Sequence, residues 1–277
     1  MTIPPETRPN CDRWQAVPGR WIAQLTAAIT FYTCLPISSS WPMNFEGIAR
    51  YAPLVGMGLG STLAMIDWGA NGFGLPSLTR SALVVALWLW FTGGLHMDGA
   101  MDTADGLAVL DPNRRLAVMA DSRSGAFGVM AAIAVIGLKT LALSELDNLR
   151  WFGLIAAAGW GRWGQVVAIA RYPYLKAEGK GAFHKAHAHP ATDWLMGFLL
   201  LVSLLVLVGI YQSNAILWAV GATAGGCAIA QLTGAWFNRQ LGGHTGDTYG
   251  AIVEWTEALL LCLMTALQAS LIHGGSQ

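Results

Sequence analysis

Three aspartates, Asp98, Asp102 and Asp105, stand at i, i+4 and i+7 just after an apolar run from Leu83 to Leu95. On a helix they fall within an arc of about 60° and span about 10.5 Å. Carboxylates that close repel, and are pushed toward protonation unless a cation holds them. The chain has only 16 acidic residues, so three on one helix face need a reason. Hard oxygen donors of this kind suit Mg²⁺, and Mg²⁺ held in this way suits phosphate chemistry. Asp98, Asp102 and Asp105 are therefore the expected metal ligands. Gly93, Gly94, Gly99 and Gly106 loosen the segment and let a ligand approach the backbone. His96, just before the cluster, is a candidate substrate contact.

Three further segments carry polar side chains. In Asp121-Ser122-Arg123-Ser124-Gly125, Asp121 could complete the metal site, and Arg123 offers a planar fork suited to phosphate. The serines also fit plain helix capping. In Leu241-Gly242-Gly243-His244-Thr245-Gly246-Asp247, the Gly-rich turn could present N–H groups to phosphate oxygens. Asp247 precedes Glu254 by seven residues, so the two can share a helix face. Acids in a membrane helix are functional candidates by default. The segment from Arg171 to His189 is the most basic, with Lys176 and Lys180 as candidate phosphate contacts. Its His184, His187 and His189 have no Cys or Glu beside them, so zinc is not argued. Arg162, inside an apolar segment, requires an acid or an aromatic ring as partner.

These groups need a scaffold. Of the 277 residues, 54% are hydrophobic and 12% charged, half the charge of a soluble domain, which suits a polytopic membrane protein. Net charge is zero, so nothing points to a nucleic-acid surface and no nucleic-acid partner is expected. Seven segments approach the spanning length of about 20 residues: 53–70, 79–97, 126–143, 151–171, 194–211, 214–236 and 251–272. Trp21–Ile37 is amphipathic, short and contains Pro36; it reads as an interfacial or re-entrant helix, with a further full span as the competing reading. The expected fold is all-α, an integral membrane helical bundle of about seven spans. Residues 1–20 form a polar tail, 21–273 a single membrane domain and 274–277 a C-terminal tail. The first ten residues are polar and Pro-rich, so no cleavable signal peptide is expected. Gly56, Gly58, Gly60 and the glycines of 221–226 suit close helix packing. Cys11, Cys34, Cys227 and Cys262 form no C-x-x-C pair and read as small buried hydrophobes. With seven spans the basic loops share one side, which puts the N-terminus and every polar motif in the cytoplasm.

Taken together, several segments resemble the adenosylcobinamide-GDP ribazoletransferase (cobalamin 5′-phosphate synthase) family. They are Phe31-Tyr32-Thr33-Cys34-Leu35-Pro36, Thr92 to Gly99, Asp102-Thr103-Ala104-Asp105-Gly106, Asp121 to Gly125, and Leu241 to Asp247 with Glu254. The resemblance runs from about residue 21 to 270, with the motifs in the same order. It implies a multi-pass protein of a bacterial inner membrane that joins adenosylcobinamide-GDP to α-ribazole or its 5′-phosphate, releases GMP and needs Mg²⁺. By the same resemblance Asp105, Asp121 and Asp247 are candidate catalytic carboxylates. His96, Arg123, Lys176, Lys180, Thr245 and Glu254 are candidate substrate contacts. A homo-oligomer or other corrinoid-assembly enzymes are the protein partners it allows. Cys34 stands where the family usually has Arg, which weakens a phosphate role for the Phe31–Pro36 segment. Met101 stands where Ala is usual, a change of packing rather than of a ligand. Two rival classes remain: a CDP-alcohol-type phosphotransferase, whose signature is only partly matched, and a cation-coupled transporter.

Overall fold

The computed structural model describes residues 19–274 apart from 148 and 178; the expected tails lie almost wholly outside the described residues. The described chain is helical, with one isolated backbone bridge between Tyr174 and His244. The helices are α1 (Arg20–Tyr32), α2 (Ala52–Gly72), α3 (Ser77–Phe91), α4 (Leu95–Ala108), α5 (Pro112–Met119) and α6 (Ala126–Glu145). They continue with α7 (Arg150–Arg171), α8 (Lys180–Ala186), α9 (Asp193–Tyr211), α10 (Ile216–Leu241) and α11 (Gly246–Gly274).

Helix α7 is the central post, buried along almost all its length and packed by α2, α9, α10 and α11. Small residues make that possible. A Cβ on Gly60 would sit 2.5 Å from the Leu154 carbonyl oxygen, and one on Gly56 would overlap that of Ala158, so α2 lies directly on α7. Around this post Trp88, Phe152, Trp160, Leu201 and Leu261 fill the main core. The outward faces stay apolar: Trp68, Phe73, Leu199, Val206, Ile210 and Leu217 are all exposed. A bundle with apolar side chains on both its inside and its outside is one solvated by lipid.

Among the described residues four helices, α6, α9, α10 and α11, are long and apolar enough to cross a membrane. They become five if α3 and α4 form one broken span. The expected seven is therefore not reached on length and composition. Helices α2 and α7, of 21 and 22 residues, have the length. Their lower apolarity reflects burial in the bundle rather than against lipid. Asp67 on α2 binds Arg150 and Arg80 on the neighbouring helices, and Arg162 and Gln165 are buried on α7. The expected span 79–97 is cut at Phe91. Gly93 and Gly94 take φ of +59° and +69°, and α4 leaves at 91° to α3. Helix α4 thus lies outside the four spanning helices. The expected helix Trp21–Ile37 runs only from Arg20 to Tyr32, because Thr33 is extended and Pro36 follows. At 13 residues α1 is too short to span. The cysteines also differ from expectation. Cys34 is exposed, Cys227 and Cys262 are half-buried, and all three are free thiols; Cys11 lies outside the described residues.

Candidate functional site

The site forms where α4 and α11 begin. Their N-terminal turns are pressed together because two glycines face each other's backbones. A Cβ on Gly99 would lie 2.6 Å from the Asp247 carbonyl oxygen, and one on Gly250 would lie 2.8 Å from that of His96. This contact brings Asp98 and Asp102 beside Asp247, which is 149 residues away from Asp98 in the chain. Helix α11 is capped by its own start. Thr245 N–H donates to Thr248 Oγ1 at 2.9 Å, and Thr248 N–H donates to Thr245 Oγ1 at 3.3 Å. Thr245 Oγ1 also donates to Asp247 Oδ2 at 3.1 Å. A second segment is strapped alongside. His244 N–H donates to the Pro173 carbonyl at 2.9 Å, and Leu175 N–H to the His244 carbonyl at 2.8 Å. That strap sets Lys176 Nζ 2.9 Å from Asp247 Oδ2.

Asp102 feels the crowding. Burial first, then Asp98, Asp247 and Asp105, push its carboxyl up to about 6, against the pull of Lys176. Among the described side chains, three carboxylates, Asp98, Asp102 and Asp247, therefore face one ammonium, that of Lys176. No group of three or more acidic, His or Cys side chains among the described residues is placed so as to hold a metal ion as it stands. The donor chemistry nonetheless fits a hard divalent cation: all oxygen, surplus negative charge and mutual repulsion that a cation would relieve.

The structure gives the remaining expected site residues other partners or surroundings. Asp105 accepts Gly125 N–H at 2.7 Å and Gly128 N–H at 2.8 Å, so both its oxygens cap α6 rather than face Asp98. Asp121 and Arg123 pair with each other on the surface, Nη2 to Oδ2 at 2.7 Å. The hydrogen bonds from Arg123 hold the Asp121 carboxyl down to about 2. Glu254 is buried and its Oε2 lies 2.6 Å from Lys139 Nζ; it does not line the pocket. Lys180 opens α8, and its side chain lies outside the described residues. Thr245 is buried in the α11 cap. Arg162, whose partner the sequence left open, binds Glu257 Oε1 at 2.9 Å.

A pocket of about 260 Å³ opens beside the carboxylates. Asp98, Asp247 and Lys176 stand on its rim, and Tyr32, His96, Gln165 and His184 line its depth. Burial, then Arg162 and Lys139, hold His96 well below the ordinary imidazole value. Burial, then His187, takes His184 down to about 4, so it is neutral at pH 7. Helix α8 is held in place by Lys185, whose Nζ donates to the Ile169 carbonyl at 2.6 Å, at the end of α7. Tyr32 and Gln165 were missed in the sequence. A glutamine inside an apolar segment was the available signal for Gln165; for Tyr32 it was its place in the Phe31–Pro36 motif. A larger cavity of about 730 Å³ lies behind α4, lined by Leu232, Trp236, Trp255 and Leu259. Apart from Thr103, Thr233 and Arg239 its lining is apolar, so it offers no carboxylate for chemistry.

Fold and site together define an integral-membrane helical bundle with a polar pocket rimmed by surplus carboxylates. The chain belongs to the cobalamin-5-phosphate synthase family, whose family model matches residues 24–265. It is 57% identical over 246 residues to a protein of Trichormus variabilis, covering 89% of this chain and 98% of that one. It is 54% identical to a protein of Synechococcus elongatus over 86% of this chain and 94% of that one. A Prochlorococcus marinus relative is 37% identical over 89% of this chain and 96% of its own length. All three are named adenosylcobinamide-GDP ribazoletransferase. No solved structure matches the chain.

Proposed function

We propose that the chain is a transferase that joins adenosylcobinamide-GDP to α-ribazole, or to α-ribazole 5′-phosphate, with release of GMP. The observation that carries this is the surplus of carboxylate on the pocket rim, in a chain of this family. A sugar hydroxyl of the ribazole attacks the corrinoid-side phosphorus of the diphosphate. One P–O bond forms, the anhydride P–O bond breaks, and the hydroxyl proton passes to a carboxylate of the rim. Asp98, Asp102 and Asp247 would hold Mg²⁺, and bound there it would neutralise the diphosphate and the leaving GMP. Lys176, tethered by Asp247, supplies a positive charge to the same oxygens. Thr245 and Asp247 keep the start of α11 ordered, so its N–H groups stay directed at the rim. Asp105 acts from behind, fixing α6 against α4.

The rim faces the cytoplasm of a bacterial inner membrane in this reading. Arg114, Arg115, Arg171, Lys176, Lys185 and Arg239 gather at the rim end of the bundle, as the positive-inside rule requires. The test is turnover by purified protein in lipid vesicles. Adenosylcobinamide-GDP with α-ribazole and Mg²⁺ should yield GMP and a coupled corrinoid, while CDP-alcohol substrates yield none. No GMP release, or an ion flux without it, rejects the proposal.

A further inference from the structure

Seven buried polar atoms of the pocket lining have no hydrogen-bond partner: Tyr249 Oη and, deeper, the six atoms Tyr32 Oη, Gln165 Oε1, and both ring nitrogens of His96 and of His184. The residues of those six are 0%, 5%, 3% and 4% exposed. Such atoms are ordinarily satisfied, and several in one cavity point to a ligand that satisfies them. The Tyr32 and Gln165 side chains are near enough to interact, but no hydrogen bond of ordinary geometry satisfies Tyr32 Oη or Gln165 Oε1. The rings are also aligned. Tyr32 lies nearly parallel to His96 at 6.4 Å and 15°, and to His184 at 6.3 Å and 16°. Phe31 meets the His184 ring edge-on at 4.7 Å.

Given the transferase reading, on which this rests, we propose that these four residues, Tyr32, His96, Gln165 and His184, seat the guanine base of the nucleotide substrate. The pocket, at about 260 Å³, falls below the size that takes a whole drug-sized ligand, so it holds a fragment such as one base. Among the described residues its depth is lined by no acid and no lysine, and Lys176 stands at the rim for the diphosphate. Flat aromatic faces suit a planar heterocycle. Its edge must then supply both donors and acceptors. Guanine does so, with O6 and N7 accepting and N1–H and the 2-amino group donating. The benzimidazole of a ribazole offers one ring nitrogen as acceptor and would leave most of the six atoms unpaired. Gln165 Oε1, which can only accept, is the natural partner of the guanine N–H edge.

The test is calorimetric titration of the detergent-purified full chain with GMP, AMP and α-ribazole. Wild type should bind GMP at least tenfold more tightly than AMP. Gln165→Met keeps the side-chain length and removes the acceptor. It should weaken GMP binding fivefold or more, leave α-ribazole binding unchanged and bring the GMP/AMP ratio toward one. Tyr32→Phe is nearly isosteric and provides the same readout if Gln165→Met does not fold. An unchanged GMP/AMP ratio in both variants overturns the proposal. So does a loss of α-ribazole binding in place of GMP binding, which would put the benzimidazole there. Turnover of adenosylcobinamide-GDP by wild type is scored separately. Failure there rejects the transferase reading, whereas base selectivity in the binding experiment judges this assignment alone.

Discussion

Two clusters of charge sit one above the other in this bundle, and they are built in opposite ways. The deeper one joins Lys139 on α6, Arg162 on α7, and Glu254 and Glu257 on α11. Its two positive and two negative groups balance, all four are buried, and Lys139 also rests over the Trp88 ring at 4.7 Å. The shallower one places Asp98, Asp102 and Asp247 against Lys176, the one cation among the described side chains there. Charges matched by their own protein hold helices together; charges left in surplus are available to something else. The difference separates acids that look alike in sequence: Asp247 and Glu254 lie on one helix, about 10.5 Å apart along its axis, yet belong to different clusters.

The largest expected effect is at the surplus. Asp102→Asn should abolish transfer, because an amide of the same volume cannot hold a hard cation. Its melting temperature without Mg²⁺ should be no lower than that of wild type, since the substitution relieves repulsion. Steady-state GMP release and calorimetry in EDTA check both halves. Glu254→Gln should do the reverse. It leaves Lys139 with one carboxylate instead of two, and breaking a buried pair costs about 3–5 kcal/mol. The melting temperature should drop on the order of 10 °C. Activity per folded molecule should remain within an order of magnitude of wild type, measured on the fraction that survives size exclusion. A Glu254→Gln protein that is stable but inactive would merge the two clusters into one site.

Lys176→Gln tests the cation that the described residues place on the rim. A charge-assisted hydrogen bond is worth roughly 1.5–3 kcal/mol, so kcat/KM for the corrinoid nucleotide should fall about 10- to 150-fold. The α-ribazole KM should not move. An effect below twofold would take Lys176 out of phosphate binding.

How much of this could be read from the chain follows the range of the interaction. Asp98 and Asp102 were legible because helical spacing is local and their context is the end of an apolar run. The identity of Asp105 was legible too, but not its work, because the N–H groups it caps are 20 and 23 residues further on. Glu254 invited a substrate role because Lys139, 115 residues away, was not seen as its partner. Tyr32 and Gln165 meet His96 and His184 only when four helices converge, and no periodicity reports that. The helical class was plain from composition. The span count was not, because α2 and α7 dilute their apolarity with groups that face other helices.

The smallest effect is one of pH. Burial leaves His184 and His244 with folded pKa values of about 4, below the ordinary value near 6.5. Between pH 6.5 and 4 the unfolded chain therefore binds protons that the folded chain does not, and stability falls as pH drops. Asp102 works the other way. Its folded value of about 6 exceeds the ordinary carboxylate value, so it offsets part of that fall. Asp102→Asn should accordingly steepen the loss of melting temperature between pH 6 and 4. A shallower slope than wild type would contradict the surplus-charge account of the rim.

The most direct measurement is the Mg²⁺-dependent rise in melting temperature of wild type, Asp102→Asn and Glu254→Gln, compared at one pH. A cation held by the surplus carboxylates stabilises the folded state by mass action. Wild type should gain stability with Mg²⁺, Glu254→Gln should start lower and gain as much, and Asp102→Asn should gain nothing. A Mg²⁺ response that persists in Asp102→Asn and vanishes in Glu254→Gln would place the cation in the deeper cluster and contradict the account.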